Sequence, residues 1–117
     1  MDLLGGLGEL IPTATEDEFN LAQTLACAMG PTHRLIDEIV QWMQACGLPP
    51  ERSSAYLLSL LGALAQEATK ADPHNLAFLW QEVTPGGLNE QVIRSLAKED
   101  AFQAWVRALD AVRAKII

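Results

Sequence analysis

From Glu16 onward, apolar side chains recur every three or four positions in one stretch after another, with charged and small polar residues between them. That period belongs to helices with one buried face. Thr15-Glu16-Asp17-Glu18 fits a capping box, in which Thr15 accepts from the amide of Glu18 and the Glu18 side chain reaches back. The first predicted helix carries Phe19, Ala22, Leu25, Ala26 and Met29, and Gly30-Pro31 is expected to interrupt it. Pro31 suits the first turn of a second helix, with the stripe Leu35, Ile36, Ile39, Val40 and Met43, running to about Cys46 and stopping at Gly47. Leu48-Pro49-Pro50-Glu51 opens a third helix lasting to about Lys70. Asp72-Pro73 is expected to cap a fourth, carrying Leu76, Leu79, Trp80 and Val83. After Thr84-Pro85-Gly86-Gly87, Asn89 is expected to cap a fifth, supported by the Glu90 and Arg94 pair. Asp100 with Gln103 resembles a further cap, and the last helix carries Phe102, Trp105, Val106, Leu109 and Val112. No segment alternates with the period of a strand. The predicted fold is all-α, of about six helices, over residues 15–117, and residues 1–14 read as a linker or strand remnant.

The third helix breaks the pattern of one buried face. Its middle, AYLLSLLGALA, is apolar nearly all round. In so short a chain, too few other helices exist to cover it, which points to a second copy and a homodimer. Gly62 in mid-helix costs about 1 kcal/mol against alanine, and a close approach by another backbone would give a reason to keep it.

Composition narrows the function. The 117 residues carry a net charge of −7, against nucleic acid and anionic membrane surfaces as partners. The start, MDLLGGLGELI, has no basic n-region of a secretory signal, and the apolar run Ala55–Ala65 is too short to span a bilayer. Cys27 and Cys46, without a CxxC pairing, read as two small buried thiols of a reduced, cytoplasmic protein. His33 and His74 lack acidic or thiol partners at ligand spacing, so no metal site is expected. Asp17, Glu18, Asp37 and Glu38 read as solvated helix faces, and Trp42, Trp80 and Trp105 as core or interface. The glycines of LLGGLGEL lack the spacing of a dinucleotide-binding turn, and neither a phosphate-binding loop nor a Ser-His-Asp set is present. The chain by itself is therefore expected to hold no cofactor and to carry out neither hydride nor phosphoryl transfer, and no catalytic residue is assigned.

VTPGGLNEQ offers different chemistry. A helix N-terminus presents unpaired amides and the positive end of a dipole, suited to a carboxylate or phosphate. Two preceding glycines let a ligand approach the backbone closely.

The order of these parts resembles the C-terminal dimerisation domain of the pyrroline-5-carboxylate reductase family. The likeness covers about residues 8 to 115 and is carried by Gly30-Pro31, Gly47-Leu48-Pro49 after the second helix, Asp72-Pro73, and Thr84-Pro85-Gly86-Gly87 before the fifth. The resemblance implies an interlocked helical dimer of the 6-phosphogluconate dehydrogenase C-terminal-like kind. In the family, a separate Rossmann domain binds NAD(P)H, and the enzyme reduces an imine in proline biosynthesis. It also implies that Thr84, Gly86, Gly87, Leu88 and Asn89 hold the substrate's small carboxylate. Two stretches depart from the family pattern. Asn89 stands where the family has a threonine, and Cys27-Ala28-Met29-Gly30-Pro31-Thr32-His33 keeps only Gly-Pro of Ser-Gly-Ser-Gly-Pro-Ala-Tyr. The reading that follows is the dimerisation and substrate-binding half of an NAD(P)H-dependent reductase. The alternative is a non-catalytic homodimeric interaction module.

Overall fold

A computed structural model describes residues 14–116, and the stretch read as a linker or strand remnant lies, apart from Ala14, outside the described residues. Among the described residues the structure is all-helical, as the periodicity predicts. Five helices of eleven residues or more are joined by one single-turn helix: α1 (Glu16–Ala26), α2 (Met29–Ala45), α3 (Pro50–Lys70), α4 (Phe78–Gln81), α5 (Leu88–Lys98) and α6 (Ala101–Ile116).

The first cap forms as a variant of the expected one. Thr15 is extended, and its hydroxyl accepts from the Glu18 amide at 3.1 Å. The Glu18 carboxylate reaches one residue further back than a capping box requires, to the Ala14 amide at 2.8 Å. α1 stops earlier than predicted. The Cys27 and Ala28 amides turn onto the carbonyls of Thr24 and Leu25, and Met29 opens α2 instead of closing α1. Gly30-Pro31 therefore lies inside the first turn of α2. Proline is tolerated there because a first-turn amide has no intrahelical acceptor to lose.

α2 ends as its sequence predicts. Gly47 adopts φ +105°, its amide donates to the Gln44 carbonyl at 2.9 Å, and the Leu48 amide reaches the Met43 carbonyl at 3.2 Å. These are the two bonds of a Schellman cap, with a glycine at the position that a Cβ would strain. Gly47→Ala is therefore expected to destabilise the fold by about 1 kcal/mol, read as a lower urea midpoint with an unchanged slope. Pro50 then starts α3, where Ser53 is fully buried and its hydroxyl donates to the Leu48 carbonyl at 3.3 Å.

The predicted fourth helix shrinks to the single turn of α4. The Asp72 carboxylate accepts from the His74 amide at 2.9 Å, and the Asn75 amide turns onto the Asp72 carbonyl. The residue that was expected to cap a helix instead closes a local turn, in competition with the helical ladder. At the other end of α5, Asp100 takes φ +58°, a conformation in which aspartate is favoured over most side chains. Its carbonyl accepts from Ala104 at 3.0 Å, and its carboxylate pairs with Arg107 at 2.8 Å.

The described residues divide into two compact units, one of residues 14–34 with 99–116 and the other of Leu35–Lys98. In the first, α1 packs along α6. The least exposed positions of α1 include Asn20, Gln23 and the buried Thr24, whose hydroxyl donates to the Asn20 carbonyl at 2.9 Å. The predicted core residues Phe19, Leu25 and Met29 are exposed. On α6, Trp105, Leu109 and Val112 are half-buried, whereas Phe102 and Val106 are exposed. In the second unit, Ile36, Ile39, Val40 and Met43 of α2 are half-buried. Leu57 of α3, at 7% exposure, is the one buried apolar side chain among the described residues. Along the rest of α3, Tyr56, Leu58, Leu60, Leu61 and Leu64 are exposed. Contiguous apolar surface of this kind is a feature of interaction sites in proteins generally.

Candidate functional site

The turn before α5 is built by two glycines. Gly86 adopts φ +74°, so a side chain there would be strained. The Gly87 amide donates to the Thr84 carbonyl at 2.9 Å. A Cβ on Gly87 would lie 3.0 Å from that carbonyl oxygen and 3.3 Å from the Thr84 Cβ, so any side chain there would crowd the turn and require Thr84 to shift. α5 begins immediately afterwards at Leu88, and the Gln91 amide accepts the helical pattern by donating to the Gly87 carbonyl at 3.1 Å.

Two sequence expectations change here. Asn89 lies within the first turn of α5 and does not cap it, because the helix starts one residue earlier. Glu90, read from sequence only as a partner of Arg94, has a second role. Its carboxylate accepts from the Gly86 amide at 2.9 Å while also pairing with Arg94. The signal was available: a glutamate stands three residues after Gly87, as Glu18 stands three after Thr15, and both carboxylates reach an amide just ahead of the helix.

Of the five predicted binding residues, Thr84, Gly86, Leu88 and Asn89 are exposed and Gly87 is half-buried. Leu88 is 81% exposed. The turn brings all five together in one short segment, as their adjacency requires. One of its amides, that of Gly86, already faces an anionic group of the chain's own. The first-turn amides of Leu88, Asn89 and Glu90 precede the point where a helix can supply acceptors of its own.

Elsewhere the chemistry is sparse. Cys27 and Cys46 are free and exposed, which corrects the expectation of buried thiols. Each lies in the turn that ends a helix, Cys27 after α1 and Cys46 after α2. His33 and His74 are exposed, and no cluster of three or more metal-ligating side chains exists among the described residues. The Asp37 carboxylate accepts from the Gln41 amide at 3.0 Å on the open face of α2. Trp42 and Trp80 are exposed and Trp105 half-buried. In the first unit, Cys27, Ala28 and Pro31 face Ala104, Trp105 and Ala108 across an open groove of about 460 Å³. In the second, a shallower groove of about 330 Å³ lies by Lys70, Asp72, Asn75 and Phe78. Neither is lined by the Thr84–Asn89 turn. No helix among the described residues is long and apolar enough to cross a membrane.

No protein-family model, curated protein or solved structure matches the chain.

Proposed function

We propose that this chain is the homodimerising, substrate-binding half of a pyrroline-5-carboxylate reductase-like, NAD(P)H-dependent imine reductase. The observation that carries the reading is the Thr84–Asn89 turn, where a left-handed Gly86 and a tightly packed Gly87 lead into the first turn of α5. Such a turn supplies backbone donors for a small carboxylate at a place where no side-chain charge is needed. The large exposed apolar surface of α3 supports the dimeric part of the reading. In this account the cofactor belongs to a Rossmann domain of the parent enzyme, and the setting is the reducing cytoplasm.

The test is an NMR titration of the chain with proline and related small carboxylates. Saturable shifts confined to residues 84 to 89 are expected. An unmoved spectrum up to high millimolar ligand would leave the turn as a connector. Calorimetry with NADPH is expected to give no saturable heat for the chain by itself, since it has no glycine loop to seat a dinucleotide. Micromolar binding would contradict this.

A second reading, a non-catalytic homodimeric interaction module, draws on one specific feature. The Glu90 carboxylate occupies the Gly86 amide, so part of the anion-binding capacity is already satisfied within the chain. The two readings separate in the same titration, because only the first expects the turn to respond to a carboxylate.

A further inference from the structure

The centre of α3 has a property that its own chain does not explain. Gly62 is helical, has ordinary backbone angles, and would meet nothing within 4 Å if it carried a Cβ. No neighbour in the chain requires a glycine there, yet glycine is among the residues least suited to a helix interior. Around it lies an uncharged run from Ser53 to Gln66, and the positions Ala55, Leu58, Leu61, Gly62, Ala65 and Ala68 recur on one side of the helix. All six are exposed.

Their order is self-complementary. If a second α3 crosses the first antiparallel, with a two-fold axis between positions 61 and 62, each residue faces the one whose number makes the sum 123. Leu58 then meets Ala65, Leu61 meets Gly62, and Ala55 meets Ala68. Large side chains fall opposite small ones at each central position, as ridges fit grooves in a helix pair. A two-fold interface demands this kind of reciprocity, in which i meets j and j meets i.

We infer that two copies of the chain associate through an antiparallel α3–α3 crossing centred between Leu61 and Gly62, the missing side chain of Gly62 admitting Leu61 of the other copy. The inference rests on the homodimeric part of the proposed function and names the surface that forms it. The uncharged run is about 20 Å long and about 10 Å wide, so the helix pair alone buries on the order of 500 Å². A stable interface needs roughly 1,000 Å² or more. The crossing is therefore the centre of the interface, and apolar surface outside α3 has to provide the remainder.

Two measurements test this. In a Cys27→Ser, Cys46→Ser background, the double variant Leu58→Cys, Ala65→Cys is oxidised in dilute solution, and the linked peptides are mapped. A covalent dimer joining position 58 of one copy to position 65 of the other is expected. The matching variant Tyr56→Cys, Leu64→Cys, on the other side of α3, is expected to give at least tenfold less. Separately, Gly62→Ala should raise the dissociation constant at least tenfold if a second helix lies against it. In a helix that merely faces water, the same change raises stability. A dimer by sedimentation that cross-links through 56 and 64, or that Gly62→Ala tightens, would overturn the crossing and leave the dimer standing. A folded monomer would overturn both.

Discussion

Leu61→Glu is expected to unfold the protein at micromolar concentration, with loss of most of its helical circular dichroism. The reason is the distribution of apolar burial. Leu57 is the one buried apolar side chain among the described residues, and the leucines around it on α3 are left open. On the proposed homodimer, a subunit with so little core of its own would depend on its partner for stability, so dissociation and unfolding would become a single event. A glutamate at position 61 would place an unpaired carboxylate in the apolar contact, a penalty of several kcal/mol and comparable with the whole stability of a small domain. Leu61→Met, which conserves volume and polarity, should stay within about 1.5 kcal/mol of the parent. If Leu61→Glu instead gave a monomer with unchanged helicity and a sharp melt, the subunit would have a sufficient core of its own. The dependence on a second copy would then be wrong.

Gly87→Val is the second change with a large expected effect, and it acts on the turn. A Cβ at this position already stands 3.0 Å from the Thr84 carbonyl oxygen, and the contact is with backbone, which cannot swing aside as a flexible side chain would. The two methyl groups of valine add to the crowding. The Gly87–Thr84 hydrogen bond must lengthen or break, at roughly 1–3 kcal/mol by the usual measure of overpacking. With it goes the alignment of the first amides of α5. Carboxylate binding by the turn is expected to disappear, while the dimer is expected to persist, because Gly87 is not one of the residues of the α3 crossing. Unchanged shifts on adding proline to Gly87→Val, compared with the parent, would show that the geometry of the turn does not govern binding.

Helix boundaries set by rigid or conformationally special residues were legible from the sequence. Gly47 ends α2 in a left-handed cap, and Pro50 begins α3, as their chemistry dictates. Boundaries set by competing hydrogen bonds were not. Asp72 can cap a helix or close a turn, and only the chain that follows decides which, so a predicted helix became the single turn of α4. The Gly30-Pro31 boundary was half legible: Pro31 stands in the first turn of α2, as its chemistry dictates, but the pair does not interrupt α1. Proline forbids helix interior but suits the first turn, and the break fell just ahead of it at Cys27 and Ala28.

Periodicity also identified apolar faces without saying what covers them. Phe19, Ala22, Leu25 and Ala26 form a proper helical stripe on α1, yet only its two alanines are half-buried, alongside Asn20, Gln23 and the buried Thr24. A hydrophobic pattern reports that a surface is kept from water in the working assembly, and in a single chain it does not distinguish a core from an interface. At the candidate site, the sequence identified the segment and its glycines. The Glu90 carboxylate on the Gly86 amide was not legible there, because one glutamate serves both that amide and its i,i+4 partner Arg94, and the i,i+4 spacing alone reports only the second.

The claim on which the rest depends is that a second copy closes the apolar surface of α3. Sedimentation equilibrium across nanomolar to micromolar concentration measures it directly. The account predicts a species of twice the 12.7 kDa chain mass at micromolar concentration, with helicity falling in step as dilution separates the copies. A species of single-chain mass that keeps its full helicity throughout that range would contradict it.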